Sequence, residues 1–385
     1  MSKGRQNLAL GGNSGSAKPT VLILGMGDTG VLTAAHLPKS CRVVCVTTKP
    51  FLVSGQELGH RLAEHASWRR DYLLPLHKLR RLAAIEIIHG KATAVDPEGR
   101  SVTVLTPGGD QIRVAWDYLV IASGVGNGFW RDDDLDTADG IEQRLAAQVA
   151  SVAAADTIAV VGGGPCGTST AFNLKRRYPG KAVTLCLSDS LPLPGYADAT
   201  RRHHRALLLQ QGVSLVTGRR ALPPADVELC QMAGGALRFA DGTPDISADL
   251  IIWTTGKLRP HTAFLPQEML DAQGFVPTDA HLNVPGHQRI FAIGDVAATD
   301  PLRCSARNWA YRVLCQNITD RITDRPPSAR FDPPVARWGS ILGLQPNGLS
   351  LHDATGRRWR VPRWLVTRFV YPVVVRRWIY GGTRW

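Results

Sequence analysis

Two sets of glycines carry the first chemical signal in this chain. Gly25, Gly27 and Gly30 follow an apolar run at residues 21–24 in the spacing G-x-G-x-x-G, with Asp28 and Thr29 inside the motif. In a strand-to-helix turn of this kind the first glycine makes the bend, the second lets backbone approach a diphosphate, and the third lets the helix pack closely. The helix N-terminus then presents N–H groups to phosphate. Gly162, Gly164 and Gly167 repeat the spacing after residues 157–161, with Gly163, Pro165 and Cys166 completing the turn. The two sets begin 137 residues apart, enough for one nucleotide-binding unit to be interrupted by another. Two dinucleotides in one chain point to electron transfer between them.

The flanking pattern supplies elements to hold these turns. Residues 42–47 read as the second strand of the first unit, where an acidic residue ordinarily meets the adenosine ribose, but this chain has Thr47 and Thr48. Residues 182–187 are the matching strand of the second unit. Asp189 follows as the ribose-reading acid, while Arg201 and Arg202 offer either a 2′-phosphate partner or a solvated helix face. Residues 62–82 read as helical around Pro75, and residues 85–94, 101–106 and 111–114 as a small antiparallel meander. Two buried-strand patterns, residues 117–124 and 249–256, close on Ser123–Gly124 and Thr255–Gly256, small enough to approach a ligand. A further strand ends in Gly294 and Asp295. A helix expected over residues 305–318 would aim its N-terminus at the same region.

At 385 residues the chain suits two domains and an appendage. The net charge of +13 is concentrated at one end: eight arginines and no acidic residue follow Ala354. Seven cysteines without a C-x-x-C pair argue against a disulfide scaffold and a thioredoxin-type dithiol, and fit a reducing cytosol. Cys41 and Cys45 flank a strand that separates them by roughly 13 Å, beyond disulfide reach. Residues 1–18 are polar and lack the apolar stretch of a signal peptide.

With both glycine motifs, both strand–glycine motifs and AIGD at residues 292–295 in hand, the chain resembles the two-dinucleotide-fold flavoprotein reductases of the pyridine nucleotide-disulfide oxidoreductase superfamily. Within them it is most similar to the type II NADH dehydrogenases and the apoptosis-inducing-factor-like quinone reductases. The likeness covers about residues 21–318. It implies an α/β fold of two Rossmann-like dinucleotide-binding domains. A discontinuous FAD domain at residues 19–135 and 258–325 would be interrupted by an NAD domain at 136–257, between a lead-in at 1–18 and a C-terminal region at 326–385. FAD would sit at Gly25, Gly27, Gly30, Gly124 and Asp295, and NADH or NADPH at Gly162, Gly164, Gly167 and Gly256. Hydride transfer between them needs no acid–base residue, so none is assigned as catalytic. Disulfide reductases of the superfamily carry a cysteine pair near the first helix; this chain has none there, so its acceptor comes from solution or membrane. Two residues depart from the pattern. Asp28 would repel a diphosphate unless it turns away, and Thr47 replaces an acid. Cys166 is read as a small residue filling a tight turn.

The last 29 residues mix arginine with Trp359, Trp364, Trp378, Trp385, Tyr371 and Tyr380. Arg368 and Pro372 interrupt any apolar run of the ~20 residues a membrane-spanning helix needs. The tail is therefore expected to lie on an anionic membrane surface, at the inner, cytoplasmic face, as a membrane-associating segment. Packing on the FAD domain and forming a homodimer interface are its other readings; nucleic acid is not expected without a recognised module. The resulting expectation is an NAD(P)H:quinone oxidoreductase. A soluble reductase of an iron–sulfur or rubredoxin-like partner, and a non-catalytic binding or sensor protein, stay open. Trp309 and Tyr311 are the nearest candidates for a quinone contact, with a core role as the alternative.

Overall fold

The computed structural model describes residues 18–53, 58–126, 132–223, 232–255, 258–303 and 309–383. Strands β1 (Thr20–Leu24), β2 (Arg42–Thr47), β3 (Glu86–His89) and β4 (Tyr118–Ile121) precede a second group: β5 (Thr157–Val161), β6 (Ala182–Cys186), β7 (Ser214–Val216), β8 (Ala221–Leu222), β9 (Ala233–Phe239) and β10 (Ile246–Trp253). After these come β11 (Asn283–Val284) and β12 (His287–Ala292). One six-stranded sheet has the order β11-β12-β4-β1-β2-β3 and the other β7-β6-β5-β10-β9-β8. The first sheet thus draws strands from both sides of the second in sequence. The inner strands of each sheet run parallel.

These strands read as unbroken apolar runs because both faces are covered. Val21 and Ile23 of β1 face helices α1 (Asp28–His36) and α4 (Ala310–Ile322), whereas Leu22 and Leu24 face the antiparallel strands Lys91–Asp96, Ser101–Leu105 and Gln111–Ala115. In the second sheet Ile158 and Val160 pack with Leu174 of α2 (Pro165–Arg177) and Leu208 of α3 (Asp198–Gln211). Each fully buried Val, Leu or Ile contributes about 1.5–3 kcal/mol. The same burial orients the strand ends that carry the glycine turns.

Two local expectations are corrected. Residues 62–82 are not one helix around Pro75. Helices Leu58–Ala63 and His65–Tyr72 stop, Leu73–Pro75 pairs antiparallel with Phe51–Val53, and short 3₁₀ turns follow, since proline removes a helical N–H and clashes with the preceding turn. Nor do residues 85–94 form one meander strand: β3 joins the parallel sheet beside β2, and the meander begins at Lys91 after Gly90.

The C-terminal region is a packed element. Three short antiparallel strands, Leu344–Gln345, Gly348–His352 and Arg358–Val361, rest on α2 and α3, where Gln345 donates to Asn173 at 3.0 Å and the His352 and His204 rings lie 4.8 Å apart. Helical turns from Arg363 to Ile379 then cross to the first sheet's side. There Tyr380 joins the core, the Tyr371 and Tyr72 hydroxyls share a hydrogen bond, and Arg376 bridges Asp71 at 3.0 Å. Packing on the first unit is the reading these contacts bear out. Among the described residues no helix is long and apolar enough to cross a membrane.

Candidate functional site

Both glycine turns are built by the same internal contact. Gly25 has φ +104° and Gly162 φ +125°, in the left-handed region that side chains rarely adopt. A Cβ on Gly30 would lie 1.9 Å from the Gly25 carbonyl oxygen, and one on Gly167 would lie 1.8 Å from that of Gly162. Helices α1 and α2 therefore sit directly against the bends. A Cβ on Gly27 or Gly164 would meet nothing within 4 Å. Closed first and third positions with an open middle one leave backbone N–H groups approachable by a diphosphate.

The N-terminal ends of α1 and α2 meet at one cavity of about 430 Å³. Gly25, Gly27, Asp28 and Thr29 line it from the first turn, Thr47 and Thr48 from the end of β2, and Ser123, Gly124, Gly294 and Asp295 from the ends of β4 and β12. Pro165 and Cys166, from the second turn, complete the opposite wall. Gly30, Gly162, Gly163, Gly164, Gly167 and Asp189 are not on this wall, and Gly256 lies outside the described residues. Among the described residues Cys166 is the one cysteine lining the cavity.

Two departures seen in sequence acquire a geometry. Asp28 accepts a hydrogen bond from the hydroxyl of Tyr380, 352 positions away. Thr47 spends its hydroxyl locally, donating to Lys49 O at 3.0 Å and accepting from Lys49 N at 3.3 Å, so it shapes the turn. A carboxylate nonetheless stands beside the end of β2. Asp132 lines the cavity and accepts from Lys49 Nζ at 2.7 Å, and Lys49 also bridges Asp136 at 2.7 Å. Sequence reading missed Asp132 because it is 85 residues beyond Thr47 and no local pattern joins them. It also missed Arg61, a fully buried cavity residue 5.9 Å from the Trp68 ring whose pKa burial pushes down to about 9. In the second half, Asp189 is bridged by Arg201 at 3.3 Å, and Arg201 also donates to the carbonyls of Leu191 and Pro192. Arg201 is thereby held in the loop, while Arg202 is the exposed face residue.

Helix α4 begins at Ala310, after residues 304–308, which lie outside the described residues. Neither candidate quinone contact lines the cavity. Tyr311 is buried with its ring 4.7 Å from that of His36, and Trp309 is half-exposed against Arg312.

Residues 19–317 match the family model described as pyridine nucleotide-disulphide oxidoreductase. The chain belongs to that family. It is a flavoprotein oxidoreductase fold that works with FAD and a pyridine nucleotide. The chain is 29% identical over 365 residues to an oxidoreductase of Pestalotiopsis fici, covering 90% of this chain and 94% of that one. With an oxidoreductase of Ajellomyces capsulatus it is 30% identical over 272 residues, 67% of this chain but 57% of that protein's length. An NADH dehydrogenase-like protein of Mycobacterium tuberculosis is 27% identical over 307 residues, 72% of each. The fold is shared with the sulfide:quinone oxidoreductase of Aquifex aeolicus, at TM-score 0.67 and 17% identity over 94% of this chain and 92% of that one.

Proposed function

We propose that this chain is an FAD-dependent NAD(P)H:quinone oxidoreductase, with FAD in the shared cavity and the pyridine nucleotide on the second glycine turn. The observation that carries this reading is the meeting of two helix N-termini, each behind a glycine bend, on one cavity. The residues fit FAD: Gly27 is open to a diphosphate, and Asp132 stands where ribose hydroxyls would donate. Ser123, Gly124, Gly294 and Asp295 would hold the ribityl and flavin end. In the second unit Gly162, Gly163, Gly164 and Gly167 would hold the nucleotide diphosphate. FAD, when bound, accepts hydride from the nicotinamide and yields electrons to an acceptor. The protein's part is to hold the two rings together and exclude water, and Pro165 and Cys166, on the cavity wall opposite the first turn, would close the site on the nucleotide's side. On this reading the FAD domain comprises residues 19–135 and 258–325, and the NAD domain 136–257.

A quinone acceptor is favoured by the outer face of the C-terminal helix, where exposed Trp364, Phe369 and Trp378 alternate with exposed Arg368 and Arg377. Aromatic rings at headgroup level and arginines on anionic lipid would hold the enzyme at the inner face of a membrane, where quinone resides. Anaerobic NADH should bleach the flavin spectrum of the purified protein, and a short-chain quinone should restore it within the same mixing experiment. A bleached flavin that quinone leaves reduced for minutes would exclude the acceptor and leave the donor half standing.

Asp189 suits NADH, because a carboxylate accepts from ribose hydroxyls and repels a 2′-phosphate. Asp189→Ala should lower the ratio of kcat/KM for NADH over NADPH about tenfold, the scale of one hydrogen bond to a charged group. Arg201 stays anchored to the Leu191 and Pro192 carbonyls in that variant, so the loop should keep its shape. An unchanged ratio removes Asp189 from the nucleotide site.

A further inference from the structure

The diphosphate turn of the first unit contains a negative charge, and the far end of the chain supplies its partner. Asp28 is the first residue of α1, follows Gly27, and lines the cavity. A carboxylate there has the favourable potential of the helix N-terminus, which is the same potential a diphosphate uses. The two anions therefore compete for one set of backbone N–H groups. Tyr380 donates its hydroxyl to Asp28 from the opposite direction, out of the core cluster that contains Met26, Val31 and Leu32. Tyr380 is 6% exposed, and its position is secured on both sides. Arg80 N donates to Gly382 O at 2.8 Å, and Arg376 donates to Asp71 at 3.0 Å and to Arg70 O at 2.9 Å. Gly381 has φ +78°, and a Cβ there would meet Arg81 at 2.3 Å, so the chain runs close against the 80–81 turn.

We infer that Tyr380 is a positioning residue of the FAD site: its hydroxyl draws the Asp28 carboxylate toward the C-terminal segment and so keeps the helix N-terminus available to the diphosphate. The inference rests on the reading of this cavity as the FAD site and adds to it a residue from outside both dinucleotide-binding units. It also explains how a charged residue is tolerated inside the glycine motif. In this arrangement the C-terminal segment completes the cofactor site.

The test is a double-mutant cycle read as FAD affinity, by quenching of flavin fluorescence on the full-length protein freed of flavin. Tyr380→Phe keeps the buried ring and removes only the hydroxyl, and should weaken FAD binding at least about tenfold, the scale of a lost hydrogen bond to a charged group. Asp28→Asn should bind FAD at least as tightly as the wild type. The double variant, Asp28→Asn with Tyr380→Phe, should match Asp28→Asn alone, because no charge remains to be directed. A purely structural role for Tyr380 would weaken binding equally in both backgrounds, and that result overturns the inference. A wild type that binds FAD while Tyr380→Phe equals it overturns the inference alone. A wild type that takes up no FAD overturns the reading of the cavity as well.

Discussion

Gly30→Ala is expected to yield a protein that folds but purifies without flavin, whereas Gly167→Ala is expected to keep its flavin and lose reduction by NADH. The geometry of the two sites is nearly identical: the new methyl would stand 1.9 Å from the Gly25 carbonyl oxygen in one and 1.8 Å from that of Gly162 in the other. Neither neighbour is a flexible side-chain end. Relief requires α1 or α2 to move off the strand that aims it, which would misdirect the N–H groups that the proposed function assigns to phosphate. We expect each cofactor's affinity to fall roughly 100-fold, equal to about 2.7 kcal/mol. The separation between the variants is the sharper result. In Gly167→Ala, dithionite should still bleach the flavin while NADH at wild-type saturating concentration should not. Flavin content equal to wild type in Gly30→Ala would show that the first turn does not hold FAD.

Replacing Trp364, Phe369 and Trp378 together by serine should release the protein from anionic vesicles while reduction of a water-soluble acceptor continues. These side chains are 67%, 45% and 61% exposed, and the Phe369 and Trp378 rings meet edge to face at 6.3 Å, so the face is apolar without being needed by the core. Large aromatics carry 150–250 Å² each, and at about 25 cal/mol per Å² removal of three exposed faces should weaken vesicle binding by two orders of magnitude or more. Full retention on vesicles in co-sedimentation would remove the membrane from the proposal. Truncation after Ala354 is the poorer experiment. Val366 and Tyr380 are buried and Arg376 bridges Asp71, so deletion would strip the first unit of part of its core along with the outer face.

The two large effects probe parts of the molecule that differ in how they could be read. Residues 20–36 and 157–177 declared strand, bend and helix through spacing alone, because a glycine turn is defined by contacts within about ten residues of chain. The strand ends at Gly124 and Gly294 were legible for a related reason: continuous burial on both faces leaves an apolar run that stops where the sheet stops. Proline 75 misled the reading of residues 62–82, since a local signal cannot say whether a helix bends or ends in a strand.

The amino-acid sequence by itself thus determined that there are two glycine turns between strand and helix, their order, and the family to which their spacing belongs. Tertiary structure alone decided that Pro165 and Cys166 face the same cavity as Gly27, that Asp132 lines it while bound to Lys49 just beyond β2, and that Arg61 is buried in the wall. It alone decided that Tyr380 reaches Asp28. The physical reason is separation along the chain. A turn is shaped by neighbours whose conformations are coupled through the backbone, whereas residues tens or hundreds of positions apart meet only after sheets and helices have buried their apolar faces, and no short-range pattern encodes which of them will touch.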